Sequence, residues 1–202
     1  MAERVTVALF GGSFNPPHIG HVLSVTYALS AGLVDRVVAV PVFAHALGKR
    51  LAAFDHRVEM ARLAFEWLPG VEVSRIEERL GTPSRTLDTI RALEAEHPSW
   101  ALRLLVGSDI LGELHQWHAF AEIERRAPPL VLPRAGAQAA GPLPRLLPEV
   151  SSTEVRARLG AWSQGSSPAA QLELEALVPR AVLRYVKAHG LYGVPAEPTA
   201  HG

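Results

Sequence analysis

Val5-Thr-Val-Ala-Leu-Phe10, followed directly by Gly11-Gly-Ser-Phe-Asn-Pro-Pro-His-Ile-Gly-His21, is the stretch that decides the fold of this chain. Its first six residues have the apolar, β-branched character of a strand. Beyond His21 the apolar residues follow helical spacing, so a glycine turn lies between a predicted strand and a predicted helix. At such a junction, free backbone amides and the positive end of the helix dipole can receive a phosphate group.

The glycines and histidines of this stretch suit a phosphorylated ligand. Gly11 and Gly12 allow a sharp turn and a close approach of the backbone to a ligand. His18 and His21 are three residues apart, so they lie on one face of a helix that begins near His18. Paired imidazoles provide compact donors that can carry positive charge, as a polyphosphate requires.

The turn by itself is compatible with more than one function. The stretch lacks the spacing of the dinucleotide-binding G-x-G-x-x-G motif and the lysine of a P-loop. A plain turn with two surface histidines is the simplest interpretation. A metal site is a third, because His115 and His118 repeat the ligand spacing of His18 and His21, although no acidic residues accompany them at ligand spacing.

The composition narrows the class of protein. The chain has 202 residues, of which 48% are hydrophobic, and its 20 basic residues balance 20 acidic ones. We therefore expect no net electrostatic field that would attract nucleic acid or an acidic membrane. The absence of cysteine excludes disulfides and thiolate sites. Neither a signal peptide nor an apolar run of about 20 residues is visible, so we predict a soluble, cytoplasmic protein.

Strand-like and helical segments alternate along the chain. Strands are predicted at 5–10, 36–42, 71–76, 102–106 and 130–132, with helices at 20–31, 55–68, 85–96 and 119–126. This alternation predicts a Rossmann-like, doubly wound α/β fold with a mostly parallel sheet. Ligands of such sheets bind beyond the carboxyl ends of the strands. Both the first motif and Gly107-Ser-Asp109, which follows the fourth predicted strand, lie at such ends.

The remainder of the chain is predicted to complete a single domain. A loop rich in Ala, Gly and Pro is expected at 135–149, and a Ser/Gly-rich connection at 161–171. Helices at 152–160 and 179–189 would form a small C-terminal helical part within 150–193. We expect the domain to span 1–193 and residues 194–202 to form a flexible tail.

Ser151-Ser-Thr-Glu-Val-Arg156 is a second motif with two possible functions. Ser151 and Glu154 fit a capping box, in which side chain and backbone satisfy each other at the start of a helix. The same geometry gathers hydroxyls and free amides at a helix N-terminus, with Arg156 one turn further on. Such an arrangement can also bind phosphate.

Taken together, the motifs resemble those of a known family. The first resembles the H-x-G-H signature of the nucleotidylyltransferase superfamily, and residues 150–156 are similar to its I-S-S-T-x-I-R segment. From about residue 5 to residue 193, the chain resembles the nicotinate and nicotinamide mononucleotide adenylyltransferases. Further matching segments are Asp55-His-Arg-Val-Glu-Met-Ala-Arg-Leu-Ala64, Val106-Gly-Ser-Asp109, Val131-Leu-Pro-Arg134-Ala-Gly136 and His189-Gly-Leu-Tyr192.

The resemblance implies a role for individual residues, each at a position that matches or lies near a family motif. The catalytic groups would be His18, His21, Lys49 and Arg156. The ATP-binding residues would be Gly11, Gly12, Ser13, Phe14, Gly107, Asp109, Arg134, Ser152 and Thr153. The mononucleotide-binding residues would be Asn15, His45, Arg57, Thr86 and Trp117. No protein metal site is implied, and Mg²⁺ would be carried by the ATP phosphates.

The implied reaction is adenylyl transfer from ATP to nicotinate mononucleotide, giving nicotinate adenine dinucleotide and pyrophosphate in NAD biosynthesis. ATP and a pyridine mononucleotide are thus the expected partners, and the oligomeric state is not indicated. Ser84-Arg-Thr86 stands where the family has S-Y-T, and Trp117-His118 where it has W-Y, which leaves nicotinamide mononucleotide open as the acceptor. A non-catalytic nucleotide-binding regulator on the same fold also stays open, as does cytidylyl or pantetheine-phosphate adenylyl transfer.

Overall fold

A computed structural model describes residues 4–44, 51–83, 85–133, 147–162 and 167–196. The strands are β1 (Val5–Gly12), β2 (Arg36–Pro41), β3 (Val71–Val73), β4 (Trp100–Gly107) and β5 (Pro129–Leu132). They form one five-stranded sheet in the order β3-β2-β1-β4-β5, and every neighbouring pair is parallel. This confirms the predicted Rossmann-like, doubly wound fold.

Helices connect the strands and complete the C-terminal part. They are α1 (Ile19–Ser30), α2 (Phe54–Phe65), α3 (Ile76–Leu80), α4 (Thr86–Glu96), α5 (Phe120–Arg126), α6 (Ser152–Trp162), α7 (Pro168–Leu177) and α8 (Arg180–Ala188). Three short 3₁₀ helices cover Ser108–Ile110, Leu114–Gln116 and Leu191–Gly193. All six helices expected from the apolar periodicity are present, whereas α3 and α7 were not predicted.

The two unpredicted helices have clear local causes. The third strand was predicted as 71–76, but β3 ends at Val73 and Ile76 begins α3. Ile76 is buried. A buried isoleucine fits a strand as well as a helix, and a short apolar run does not distinguish the two. For α7, Ser167 caps the helix by accepting a hydrogen bond from the Ala170 amide at 3.4 Å, and Pro168 occupies the first turn. The Ser/Gly-rich composition of 161–171 concealed this start signal.

Alternate residues of β1 supply the two faces of the sheet. Ala8 and Phe10 belong to the core cluster that packs against α1, α2 and the C-terminal helices α6, α7 and α8. Val7 and Leu9 belong to the cluster formed with α3, α4 and α5. Both faces are therefore covered, as the continuous apolar character of a parallel strand requires.

The topology determines where a ligand can bind. β1 and β4 are neighbours, but β1 leads into α1 on one face whereas β4 is reached from α4 on the other. Strand order reverses at this point, and the carboxyl ends of β1 and β4, at Gly12 and Gly107, mark the crevice that such folds use for binding.

No helix in the described part of the chain combines the length and apolarity needed to cross a membrane.

The packed part of the chain extends slightly further than predicted. Val194, placed at the start of the flexible tail, is buried and contributes to the larger core cluster. Residues 197–202 lie outside the described ranges.

Candidate active site

The loop between β1 and α1 is anchored by the ring of Phe14. This residue has a left-handed backbone conformation with φ +43°. Its ring is fully buried, with its centroid 5.6 Å from that of Phe10 and 5.3 Å from that of Phe65. A Cβ atom at Gly12 would lie only 3.0 Å from this ring, so packing favours glycine there, whereas a Cβ at Gly11 would meet no atom of the described structure within 4 Å. Of Phe14, only the backbone can therefore face a nucleotide.

His18 and His21 lie together at the start of α1, as their spacing predicted. Their ring centroids are 3.7 Å apart and the planes are inclined by 30°. The backbone N–H of His18 donates to Nδ1 of His21 at 3.1 Å. Since Nδ1 is the acceptor in this contact, the neutral His21 ring carries its proton on Nε2. The loop thus presents His21 as a donor of fixed tautomer.

Asn15 is buried within the loop, with 1% of its surface exposed. Its Oδ1 accepts a hydrogen bond from the Ala52 amide at 3.0 Å and another from the Tyr192 hydroxyl at 2.9 Å. The structure therefore gives the oxygen of the Asn15 side chain an internal role, and the contact of Asn15 with the mononucleotide stays a prediction. The chain segments that bring it partners lie 37 and 177 residues away.

Arg57 is also buried, and its guanidinium is directed at backbone carbonyls. It donates to the oxygens of Ala52 at 2.9 Å, Ser13 at 3.1 Å, Val42 at 2.7 Å and Phe43 at 3.3 Å. Burial lowers the pKa of Arg57 from its ordinary value. Because one side chain joins the segments after β1, after β2 and before α2, Arg57 fixes these three segments relative to one another. This differs from its predicted place on the mononucleotide.

The first turn of α6 packs directly against the glycine-turn loop. Ser152 Oγ donates to the Pro16 carbonyl at 2.9 Å, and Arg156 Nη1 donates to the Asn15 carbonyl at 2.8 Å. Arg156 Nη2 also donates to Thr153 Oγ1 at 3.2 Å. The two motifs, more than 130 residues apart in sequence, thus form one site.

The start of α6 is capped by one serine and tied to the loop by the next. The Glu154 amide donates to Ser151 Oγ at 3.2 Å, so this half of the predicted capping box is confirmed, whereas the Glu154 carboxylate accepts from Arg158 at 2.8 Å. The hydroxyl proton of Ser152 is used by Pro16, so the backbone amide of Ser152 is its remaining donor for a phosphate. Helix N-termini of this kind bind anions through such amides.

The remaining predicted residues lie at the carboxyl edge of the sheet or beside it. Gly107 ends β4, and Asp109 is exposed in the 3₁₀ helix that follows. Thr86 begins α4, while Trp117 is partly buried and packs against the second core cluster. The apolar packing of Trp117 agrees with an ordinary core role, but the residue is only partly buried.

Residues adjacent to Thr86 and Trp117 connect these two positions. Arg85 Nη1 lies 3.3 Å from His118 Nε2. Since a guanidinium only donates, the imidazole nitrogen accepts in this contact. Arg85 also lines a cavity of about 420 Å³ beside α4, together with Glu77, Thr89 and Arg91. Three further predicted site residues, Lys49, His45 and Arg134, lie outside the described residues.

Comparison with known proteins identifies the family of this chain. A model of cytidylyltransferase-like domains matches residues 9–158. A Myxococcus xanthus protein named "Probable nicotinate-nucleotide adenylyltransferase" is 41% identical over 199 residues, covering 98% of this chain and 100% of the relative. A protein of the same name from Anaeromyxobacter dehalogenans is 41% identical, covering 92% and 96%.

The chain belongs to the nicotinate-nucleotide adenylyltransferase family. Its fold is shared with Plasmodium falciparum nicotinic acid mononucleotide adenylyltransferase in complex with APC. That structure has a TM-score of 0.77 and 15% identity, covering 96% of this chain and 100% of the other. A second structure of the same enzyme, complexed with NaAD, also has a TM-score of 0.77, at 16% identity.

Within this adenylyltransferase, sequence reasoning missed how the predicted residues are supported. Tyr192 belongs to the segment His189-Gly-Leu-Tyr192 that resembles a family motif, and its hydroxyl reaches Asn15 in the loop. Arg57 and Asn15 have polar side chains that could bind a nucleotide, but both are buried and bonded within the protein. No local sequence signal distinguishes these functions, because each depends on partners from distant segments.

Proposed function

We propose that this chain transfers the adenylyl group of ATP to nicotinate mononucleotide, forming nicotinate adenine dinucleotide and releasing pyrophosphate. The observation that carries the proposal is the convergence of two phosphate-binding motifs. The His18–His21 helix start and the α6 helix start meet through Ser152 and Arg156, in the loop that follows the carboxyl end of β1. Two helix N-termini and a guanidinium at one point suit a polyphosphate.

The reaction needs no protein nucleophile. An oxygen of the mononucleotide phosphate attacks the α-phosphorus of ATP, and the bond from that phosphorus to the oxygen bridging to the β-phosphate breaks. The electron pair leaves with pyrophosphate. Because the attacking group is already an anion, the protein's task is alignment and stabilisation of the developing charge. ATP enters as its magnesium complex, so the metal arrives with the substrate.

Individual residues have distinct tasks in this proposal. His21 donates from Nε2 to a phosphate oxygen, since its Nδ1 is held by the loop backbone. His18 and Arg156 add donors on the same side, and Lys49 supplies a further cation. The Gly11, Gly12 and Ser13 backbone and the Ser152 and Thr153 amides face the phosphates. Gly107 and Asp109 hold the adenosine ribose, and Arg134 lies near the nucleotide.

The pyridine ring is assigned to the region of Thr86 and Trp117, and the family resemblance adds His45 to the mononucleotide-binding residues. Arg85, the N-cap residue of α4, places a cation beside Thr86 at the positive end of that helix. Its contact with His118 Nε2 also occupies an acceptor that an amide could otherwise use. A guanidinium at a helix N-terminus favours a carboxylate over a neutral amide. This supports nicotinate mononucleotide over nicotinamide mononucleotide.

The test is pyrophosphate release from the purified protein with magnesium and ATP. Nicotinate mononucleotide and nicotinamide mononucleotide are supplied separately, with pantetheine phosphate as a third acceptor and CTP as a second donor. We expect rapid release with ATP and the acid, and little with the amide. Comparable rates for acid and amide would retain the reaction but make the enzyme dual-specific. A folded protein that binds ATP yet releases no pyrophosphate with any acceptor would be a nucleotide-binding regulator instead.

A further inference from the structure

Asn15 joins the C-terminal segment of the chain to the two phosphate-binding motifs. Its side-chain oxygen accepts from the Tyr192 hydroxyl at 2.9 Å and from the Ala52 amide at 3.0 Å. Its backbone carbonyl accepts from Arg156 at 2.8 Å. The conformation of this one residue therefore determines where the guanidinium of Arg156 lies relative to the glycine-turn loop.

Both the backbone and the side chain of Tyr192 are held in a defined conformation near the end of the domain. It has a left-handed backbone conformation with φ +59° and ψ +29°, which non-glycine residues adopt uncommonly. Its hydroxyl reaches Asn15 and lies 3.9 Å from Met60 Sδ. Burial raises the pKa of Tyr192, although the charges of Arg156 and Arg57 act in the opposite direction. The hydroxyl therefore stays protonated and keeps donating to Asn15.

We propose that Tyr192 is a positioning residue for the adenylyl transfer reaction. Its hydroxyl fixes the Asn15 side chain, and through the Asn15 carbonyl it fixes Arg156 and the start of α6. This proposal rests on the proposed function. It assigns to the segment after α8 a catalytic contribution that involves no contact with the reacting atoms.

The chain offers a matched pair of variants to test this role. Tyr192→Phe and Tyr185→Phe each remove one hydroxyl from a partly buried tyrosine in the C-terminal part of the domain. The Tyr185 hydroxyl lies 2.9 Å from His56 Nδ1, joining α8 to α2 without a hydrogen bond to Asn15. We expect kcat to fall roughly 10- to 100-fold in Tyr192→Phe, since a misplaced catalytic group costs up to that much. KM should change little, and Tyr185→Phe should keep the parental kcat.

Melting temperatures control for a merely structural effect. Both kcat values are measured at a temperature at which both variants are fully folded, so a loss of kcat confined to Tyr192→Phe reports positioning. Asn15→Ala should lower kcat at least as far, and adding Tyr192→Phe to it should lower kcat no further, because the two residues act as one unit. Independent, additive losses would overturn the proposal.

Hydrogen exchange gives a readout that does not depend on activity. The Ala52 amide is bonded to Asn15 Oδ1, so its exchange should accelerate in Tyr192→Phe and stay unchanged in Tyr185→Phe. An unchanged Ala52 amide, or a fully active Tyr192→Phe enzyme, would overturn the role of Tyr192. Absence of turnover in the parent protein would instead overturn the proposed function, and with it the catalytic part of this proposal.

Discussion

The orientation of His21 follows from its immediate neighbours. Its ring lies 3.7 Å from that of His18 and 5.2 Å from that of the buried Phe14, and its Nδ1 accepts the His18 amide. Rotation of the ring would break this hydrogen bond and disturb two ring contacts. The Nε2–H donor is therefore directed before any ligand arrives, which is the condition for preorganised stabilisation of a transition state.

His21→Ala is expected to lower kcat by about 10²–10³, the loss typical of a preorganised transition-state donor. His97→Ala is the matched control, because the His97 ring stacks on Trp100 at 3.7 Å in a part of the molecule remote from the loop. Steady-state rates at saturating substrates, with circular dichroism to verify folding, measure the difference. A folded His21→Ala enzyme with nearly parental kcat would remove His21 from the mechanism.

Among the secondary-structure elements, α6 combines two functions in its first turn. Ser151 caps the helix by accepting from the Glu154 amide at 3.2 Å, whereas Ser152 ties the helix to the loop through Pro16 at 2.9 Å. Val155 and Leu159, on its apolar face, are fully buried in the larger core cluster. The core thus sets the position of the helix, and Ser152 sets the distance between its N-terminus and the loop.

These adjacent serines should respond differently to the same substitution. Ser151→Ala is expected to lower the free energy of unfolding by about 1 kcal/mol, the usual effect of losing an N-cap, with little change in kcat/KM for ATP. Ser152→Ala is expected to lower kcat/KM for ATP roughly two- to tenfold, which corresponds to one neutral hydrogen bond. Urea unfolding and steady-state kinetics on both variants test this; equal effects of the two substitutions on kcat/KM would contradict it.

For the molecule as a whole, stability at alkaline pH depends on how deeply tyrosines are buried. Burial raises the pKa of Tyr192, and burial with the nearby Glu59 and Asp55 charges raises that of Tyr185. An unfolded tyrosine has a pKa of about 10. Since the folded-state pKa is the higher one, the stabilising contribution is complete below about pH 10 and is lost as the pH rises through the folded-state value.

We therefore expect the free energy of unfolding to fall as the pH rises above about 10, and to fall less in Tyr192→Phe than in the parent chain. Urea unfolding at several pH values on either side of this point gives the measurement. A variant with the same alkaline loss as the parent would show that Tyr192 ionises equally easily in the folded and unfolded chains.

Local sequence patterns were sufficient for the framework of this molecule. The apolar, β-branched run at 5–10 became the central strand, and the glycine turn that follows it lies at the carboxyl edge of the sheet, as predicted. Apolar periodicity identified α1, α2, α4, α5, α6 and α8, and the capping signal located the start of α6. Such features depend on neighbours within one or two turns of the chain, which is the range over which sequence patterns act.

By itself, the sequence determined the five strands, six of the eight helices in the described residues, the two motifs at helix starts and the family to which the chain belongs. Only the tertiary structure decided which polar side chains are bonded within the protein and support the site. Arg57 is buried among four carbonyls and Asn15 is bonded to Tyr192, although both have side chains suited to binding a nucleotide. The reason is physical: a buried polar group must be matched by hydrogen-bond partners, and these partners come from segments up to 177 residues apart that meet only after folding.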